Sequence, residues 1–171
     1  MIRAVRTEDA AEILAIYSPF ITNTAVSFEY EVPSVDEISR RISDTTAKYP
    51  WVVWEENGRV LGYAYASSHR ARPAYQWSVE VSVYLHPDAR RKGIATLLYH
   101  DLFDQLRSSG FYNAYAGITL PNEASVGFHE SLGFAPIGVY PRIGYKHGKW
   151  HDVGWWRLRL REDDLEPSSP R

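Results

Sequence analysis

Residues 77–85 alternate between apolar side chains at odd-numbered positions and more polar ones at even-numbered positions. Neighbouring side chains of a β-strand point to opposite faces of the sheet, so this pattern predicts a strand with one apolar and one polar face. Glu80 lies in the middle of the polar face. The sequence therefore places a carboxylate on a well-defined strand.

Two segments near the N-terminus have apolar residues at helical spacing. The first begins at Thr7, a predicted N-cap that is followed closely by acidic residues. This helix is expected to end where Pro19 interrupts it. The second opens at Ser34 with Glu37 three residues later, which is the spacing of a capping box, and is expected to run to about Lys48.

Two more helices are predicted in the second half of the chain. The longer one carries leucines at helical spacing between Ile94 and Leu106, and Gly110 is placed to cap its C-terminus. The shorter one covers residues 123–132 and is stopped by Gly133. Both are expected to pack an apolar face on a sheet.

Further strands are indicated around turn signals. Residues 51–55 and 60–66 flank Asn57 and Gly58, a pair that accepts positive φ at both turn positions, so they predict an antiparallel hairpin. Strands are also expected over residues 111–120, 134–140 and 151–160. Hairpin-linked strands come first and helix-linked strands later, an order that predicts an α/β domain with a mixed sheet. One domain is expected over residues 1–161, followed by a flexible tail over residues 162–171.

Composition narrows the chemistry. The 171 residues carry a net charge of −2 and include no cysteine, which excludes disulfides and a thiol nucleophile. The balanced charge gives no reason to expect nucleic acid or an anionic membrane as a partner. No apolar run reaches the about 18 residues of a membrane-spanning helix. We expect a cytoplasmic protein.

A basic, glycine-containing segment over residues 90–95 separates the alternating strand from the leucine-spaced helix. The start of a helix presents N–H groups that lack an intrahelical partner, so Gly93 and Ala95 would let an anion such as pyrophosphate approach the backbone. The segment matches neither a Walker loop nor a dinucleotide fingerprint. The alternative is a solvated basic turn that only caps the helix.

This segment, read as R-x-x-G-x-A, resembles the coenzyme A motif of the GCN5-related N-acetyltransferase superfamily. The wider chain is similar to the phosphinothricin and methionine sulfoximine N-acetyltransferases of that superfamily, in segments 49–51, 70–77, 120–122, 129–130 and 146–154. The resemblance implies the α/β fold of that superfamily, a mixed central β-sheet of about seven strands flanked by about four helices. It also implies acetyl-CoA as co-substrate, direct sequential transfer to the α-amine of a small amino-acid analogue, a detoxification role and a homodimer.

The resemblance also implies catalytic roles. Glu80 is the expected general base, against the alternative of an exposed or ion-paired glutamate; a carboxylate among apolar neighbours supports the first interpretation. His129 is expected as proton donor or acceptor, or else as a residue that packs beneath the cofactor. The spacing of His147 and His151 is that of metal ligands, but without a third convergent ligand no metal site is predicted.

The cofactor and substrate positions are implied in the same way. Acetyl-CoA is expected to contact the backbone of Val83 and Leu85, with Asn122 on the pantetheine arm and Ser131 at a further position. The positions expected to hold the pyrophosphate are Arg91, Lys92, Gly93, Ile94, Ala95 and Thr96. The acceptor is expected to meet Phe28, Arg72 and Tyr75, because an arginine pairs with a carboxylate or phosphinate and a tyrosine adds a hydrogen bond. Two arginines in this loop could instead form a solvent-facing patch.

Two alternatives to a small amino-acid acceptor stay open at this point. The acceptor could be a peptide N-terminus or a polyamine, although Arg72 and Tyr75 suggest a small closed pocket. The chain could also be a non-catalytic module that binds acetyl-CoA, against which the presence of Glu80 argues. Trp150, Trp155 and Trp156 exceed what one sheet face easily covers, which favours self-association.

Overall fold

The computed structural model describes residues 1–162 and 166–171. Its helices are α1 (Ala10–Thr22), α2 (Val35–Thr46), α3 (Ile94–Ser108) and α4 (Glu123–Ser131). Its strands are β1 (Ile2–Ala4), β2 (Trp51–Glu56), β3 (Arg59–Ser68), β4 (Ser78–Leu85), β5 (Asn113–Leu120), β6 (Ala135–Lys146) and β7 (Lys149–Arg159).

All seven strands form one sheet in the order β1-β2-β3-β4-β5-β7-β6. Strands β4 and β5 run parallel, and the other neighbouring pairs are antiparallel. The parallel pair is joined through α3, which is the crossover that such a connection needs. The predicted mixed sheet with four flanking helices is confirmed.

Two apolar cores lie on opposite faces of the sheet. Residues of α3, including the fully buried Leu98 and Leu102, pack on Val79 and Val81 of β4 and form the larger core. On the other face, α1 and α2 pack on β2 and β3 through residues such as Ile13. The alternation in β4 thus separates a valine face under α3 from a face that carries Glu80.

Three local signals act where the sequence predicts them, whereas the N-cap of α1 is Asp9 and not Thr7. Asn57 and Gly58 have φ of 52° and 74° and join β2 to β3 as a tight hairpin. The side chain of Ser34 accepts a hydrogen bond of 3.1 Å from the backbone N–H of Glu37 and starts α2. Gly110 follows α3 with a φ of 94°.

Pro19 lies inside α1, so the prediction that it ends the helix is wrong. Proline removes one helical hydrogen bond, but it sits close to the end of the helix, and its own carbonyl accepts from Asn23 N–H at 3.0 Å. Packing offsets the lost bond, because Phe20 contacts Tyr84 edge-on at 5.1 Å and Ile21 is buried.

The last two strands are longer than the predicted ranges 134–140 and 151–160, and they meet at a two-residue turn. His147 and Gly148 form that turn with φ of 51° and 74°. β6 contains Pro136 and Pro141, which obscure a strand in the sequence but are tolerated in an edge strand. Its pairing with β7 shifts register at both prolines.

The tail prediction falls partly on residues 163–165, which lie outside the described residues, and it stays a prediction. The described end of the chain contacts the domain. The indole N–H of Trp77 donates to the carbonyl of Ser168 at 2.8 Å, and the N–H of Arg171 donates to the carbonyl of Ser109 at 2.9 Å.

Candidate active site

The central feature of the site is a fork between β4 and β5. Residues 78–80 of β4 pair with residues 113–115 of β5, and the ladder between the two strands stops there. Each strand keeps its other neighbour along its remaining length, β3 beside β4 up to Leu85 and β7 beside β5 up to Leu120. The strands therefore separate beyond Glu80, and backbone groups of β4 face the opening.

A cleft of about 480 Å³ occupies this opening and continues to the start of α3. Five residues predicted to bind or act on the cofactor line it together: Val83, Leu85, Ala95, Asn122 and His129. The side chain of Asn122 also caps α4 by accepting from Ser125 N–H at 3.1 Å. The structure thus gathers residues from β4, α3 and α4 on one cavity.

The start of α3 has the properties of an anion site. Gly93 is its N-cap, with a φ of 73° and no side chain that caps the first turn, so the first N–H groups of the helix are open to a ligand. Arg91 has a φ of 60°, and both Arg91 and Lys92 are exposed. Arg90, from the same turn, lines the cleft itself.

The remaining cofactor predictions lie around the cleft without lining it. Arg91, Lys92 and Gly93 are exposed in the turn between Arg90 and Ala95, which both line the cleft, while Ile94 is the buried first residue of α3. Thr96 is half-buried in the first turn of the helix. Ser131 ends α4, where its hydroxyl donates to the Phe128 carbonyl at 2.7 Å. These residues keep their predicted roles as proposals.

His129 lies at the base of the cleft, with 5% of its surface exposed. Its Nδ1 lies 2.7 Å from the Ser125 carbonyl, which only accepts, so Nδ1 carries a proton. Its Nε2 lies 3.1 Å from the hydroxyl of Tyr99. Burial lowers the pKa of His129, and burial raises the pKa of Tyr99, so both groups are neutral near pH 7 and the tyrosine donates to Nε2.

A second cavity, of about 440 Å³, adjoins the first on the side of the sheet that carries Glu80. Glu80, Arg70 and Phe28 line it, and Tyr140 and Trp155 close it from β6 and β7. The residues shared by both cavities are Val26, Val81, Ser82, Gly117 and Thr119. A ligand in the first cavity can therefore meet a ligand in the second at the fork.

Glu80 is flanked by an imidazole and a guanidinium group. His69 Nδ1 lies 3.1 Å from Glu80 Oε1, and Arg70 Nη1 lies 3.6 Å from the same oxygen. The Glu80 side chain is one-third exposed. The carboxylate thus combines access to the cavity with fixed partners on one oxygen.

The other two predicted acceptor contacts stand apart from this cavity. Arg72 is exposed and precedes a 3₁₀ turn, Pro73–Tyr75. Tyr75 is 44% exposed, with its ring centroid 6.1 Å from that of His69. Neither side chain lines the acceptor cavity, whereas Arg70 does. The roles of Arg72 and Tyr75 stay predictions.

The tip of the β6–β7 hairpin holds the segment that carries Phe28. Lys146 is 4% exposed, and its Nζ donates to the carbonyls of Ile21 and Ser27, both at 2.6 Å. The ring of Phe28 lies directly against Gly144, at a place where the Cβ atom of any other residue would collide with it. The hairpin and the segment after α1 thus form one wall of the acceptor cavity.

The sequence patterns do not predict that His69 and Trp155 belong to the site, nor that Tyr99 is hydrogen-bonded to His129. The leucine-spaced pattern places Tyr99 in the core or at an interface; it is fully buried and also lines the cleft. Trp155 crosses β5 at Gly117, where a Cβ atom would lie only 3.0 Å from the indole. The register between Gly117 and Trp155 explains this fit, but it becomes visible only once the strands are paired.

Within residues 1–162 and 166–171, none of the helices combines the length and the apolar character that crossing a membrane requires. In the same part of the chain, no three His, Cys, Asp or Glu side chains come together as a metal site.

The cleft, the fork and the carboxylate together define a class of protein. The cleft passes through a fork in a mixed sheet and joins the basic N-terminus of α3 to the cavity that contains Glu80. This arrangement is typical of a transferase that binds a phosphate-bearing donor on one side and an acceptor on the other. The family model described as "Acetyltransferase (GNAT) domain" matches residues 2–155. The chain belongs to the GNAT acetyltransferase family, and its predicted class, an N-acetyltransferase enzyme, is confirmed.

Similar proteins agree over nearly the whole chain. A phosphinothricin N-acetyltransferase of Streptomyces viridochromogenes is 38% identical over 170 residues, 99% of this chain and 91% of the relative. An L-methionine sulfoximine/L-methionine sulfone acetyltransferase of Salmonella typhimurium is 35% identical over 165 residues, 94% of this chain and 95% of the relative. A solved phosphinothricin acetyltransferase from Sinorhizobium meliloti, in complex with acetyl-CoA, superimposes with a TM-score of 0.93 at 36% identity, covering 98% of this chain and 92% of that one.

Proposed function

We propose that this enzyme transfers the acetyl group of acetyl-CoA to the α-amine of a small amino-acid analogue such as phosphinothricin or methionine sulfoximine. The observation that carries the proposal is the meeting of two cavities at the fork, with the predicted base on the acceptor side. The names of the relatives support the choice of donor and acceptor.

The donor side suits acetyl-CoA. The positive charge of the uncapped first turn of α3 and of the basic turn before it complements the negative charge of a pyrophosphate. Gly93 presents no side chain to an approaching phosphate. Asn122 and the backbone of Val83 and Leu85 line the path from that turn to the fork. When bound, acetyl-CoA supplies an acetyl group activated as a thioester.

The protein contributes a base and a set of backbone dipoles. Glu80 accepts a proton from the ammonium form of the acceptor, which frees the nitrogen lone pair to attack the thioester carbonyl. Backbone N–H groups of β4 beyond Glu80 are placed to stabilise the negative charge that develops on the carbonyl oxygen. Because the chain has no cysteine, direct transfer is the expected route.

His129 is the second catalytic residue that we propose. Its position at the base of the donor cleft suits a group that protonates the departing thiolate, and it can do so only in its imidazolium form, because the one proton of the neutral ring is held by the Ser125 carbonyl. Burial opposes its charged form, so we expect His129→Asn to lower kcat by about 10²-fold, at the low end of general-acid contributions. An unchanged kcat would leave His129 with a packing role under the cofactor.

The anionic group of the acceptor is proposed to bind the arginines of the loop after β3. Arg70 lines the acceptor cavity, and Arg72 follows two residues later in the same loop, outside the lining of the cavity. A guanidinium forms paired hydrogen bonds to a carboxylate or phosphinate, and Phe28 supplies an apolar wall. This combination favours an acceptor with an anionic group, such as the carboxylate of an amino acid, over a polyamine.

The test is an amine panel assayed with acetyl-CoA by the release of free thiol. We expect turnover with phosphinothricin and methionine sulfoximine well above the hydrolysis seen without amine, and little with a peptide N-terminus or a polyamine. Glu80→Gln should lower kcat by about 10²–10⁴-fold while acetyl-CoA still binds. Cofactor binding without transfer to any amine would instead identify a non-catalytic module.

The proposal extends to three properties beyond catalysis. We propose a homodimer, because β6 presents exposed apolar side chains that include Ile137, Val139 and Ile143, each more than half exposed. Sedimentation that gives the mass of one chain would contradict it. We also propose a cytoplasmic location and a detoxification role, which tolerance of an expressing strain to phosphinothricin would test.

A further inference from the structure

His69 is largely buried against the proposed base, although no sequence pattern points to it. It directly follows β3, and its Nδ1 lies 3.1 Å from Glu80 Oε1. Its side chain is only 17% exposed. An ionised carboxylate offers only acceptors, so the proton of this hydrogen bond belongs to Nδ1.

The imidazole is held by aromatic rings from three elements. It stacks on Tyr115 of β5 with the ring centroids 4.9 Å apart and the planes 21° apart. It meets the ring of Trp155 nearly perpendicularly, at 6.0 Å and 80°, and that of Tyr75 at 6.1 Å and 69°. These contacts fix the plane of the ring and with it the direction of Nδ1–H.

The backbone around His69 is also fixed. Arg70 Nη1 donates to the His69 carbonyl at 2.9 Å, and Ser68 Oγ donates to the Arg70 carbonyl at 3.1 Å. The approach of both His69 and Arg70 to Oε1 of Glu80 turns one carboxylate oxygen toward the loop. The other oxygen, Oε2, is the one then offered to the acceptor amine.

We propose that His69 is a positioning residue for acetyl transfer. Its Nδ1–H holds Oε1 of Glu80 and presents Oε2 to the ammonium group of the acceptor. This inference rests on the proposed function of Glu80 as base. It adds a residue that acts through Glu80 and touches neither substrate.

Other polar and charged groups lie close to this pair. Arg70 and Tyr75 come from the loop after β3, and Tyr115 comes from β5. Arg157 of β7 is the register partner of Tyr115, and its Nε donates to Asn113 Oδ1 at 2.8 Å. All of them stay unchanged in the variants below.

Two variants separate the hydrogen bond from the packing. His69→Phe keeps a ring against Tyr115 but removes the donor. His69→Asn removes the ring but keeps an amide N–H close to the position of Nδ1. His100→Asn, at an exposed position of α3, is the matched control for the histidine replacement. Thermal unfolding and acetyl-CoA binding are measured for each variant, so that a folding defect is recognised.

We expect His69→Phe to lower kcat by about 10–100-fold, the equivalent of one hydrogen bond to a charged group. His69→Asn should recover most of kcat, because its amide N–H restores a donor to Oε1. His100→Asn should behave as the unaltered enzyme.

The decisive measurement is His69→Phe in a Glu80→Gln background. If His69 acts through Glu80, the second change lowers the remaining rate less than twofold. An equal loss in both backgrounds, or a kcat within twofold of the unaltered enzyme, would overturn the proposal. A normal rate for Glu80→Gln alone would instead refute the base, and no transfer to any amine would refute the function.

Discussion

Lys146 provides a sharp test of how the acceptor wall is built. Its ammonium group donates to the carbonyls of Ile21, in the last turn of α1, and Ser27, in the segment that leads to Phe28. The last carbonyls of a helix lack intrahelical donors and carry the negative end of its dipole, so a cation is well placed there. Lys146→Met keeps the length of the side chain and removes the cation.

The expected cost follows from these two contacts. Hydrogen bonds to a charged donor contribute about 1.5–3 kcal/mol each, so the pair represents about 3–6 kcal/mol. The variant regains part of this because it no longer buries an ammonium group, whose desolvation costs several kcal/mol. We therefore expect a net loss of about 2–4 kcal/mol in the free energy of unfolding. At about 2–4 °C per kcal/mol for a chain of this size, Tm falls by about 4–16 °C.

Urea unfolding of Lys146→Met, followed by tryptophan fluorescence, measures the loss directly. Lys149→Met is the control, because Lys149 is exposed just after the same turn. The amine KM should also rise more than the acetyl-CoA Kd, since Phe28 lines only the acceptor cavity. A change in unfolding free energy as small as that of the control would refute the anchoring role of Lys146.

Three further predictions concern His129, the turn before α3 and the acceptor cavity. The free energy of unfolding should fall as the pH drops below about 6.5, because the unfolded chain protonates His129, whereas burial keeps it neutral in the folded protein. Urea unfolding at pH 7 and pH 5 measures this loss, which should be smaller for His129→Asn. Gly93→Ala should lower the free energy of unfolding by about 1–2 kcal/mol because Gly93 has a positive φ, and it should weaken acetyl-CoA binding measured by calorimetry. Gly127→Ala, within α4, is the control and should raise the free energy of unfolding by up to about 1 kcal/mol. Arg70→Gln should raise the KM of phosphinothricin about tenfold in the thiol assay. Comparison with Arg72→Gln shows whether both arginines bind the same anionic group. An unchanged KM for Arg70→Gln would mean that Arg70 does not bind the acceptor.

Local chemistry explains the parts of the fold that the sequence predicts well. Asn57 and Gly58 accept positive φ, Ser34 caps a helix with its own hydroxyl, and Gly110 follows one with a φ of 94°. Each signal acts within a few residues, so no tertiary context is needed to recognise it. The alternation around Glu80 belongs to the same class, because the period of a strand is a local property.

Long-range contacts explain the rest. His69 reaches Glu80 only after β3 pairs with β4, and Lys146 reaches Ile21 across 125 residues of chain. Neither residue belongs to a periodic pattern that would single it out. Pro19 shows the opposite effect, since a local rule predicts a helix end that tertiary packing of the neighbouring Ile21 outweighs.

The fork shows how the fold leaves backbone groups free for the proposed stabilisation of the reacting oxygen. β4 keeps its full ladder to β3, and β5 keeps its full ladder to β7, so only the hydrogen bonds between β4 and β5 beyond Glu80 are given up. Unpaired strand groups are normally a liability, because they invite further pairing. Here α3 and α4 flank the gap, and a substrate carbonyl between the strands can take the place of the missing neighbour. The interruption of the ladder thus accounts both for the shape of the cleft and for the N–H groups proposed to stabilise the reacting oxygen.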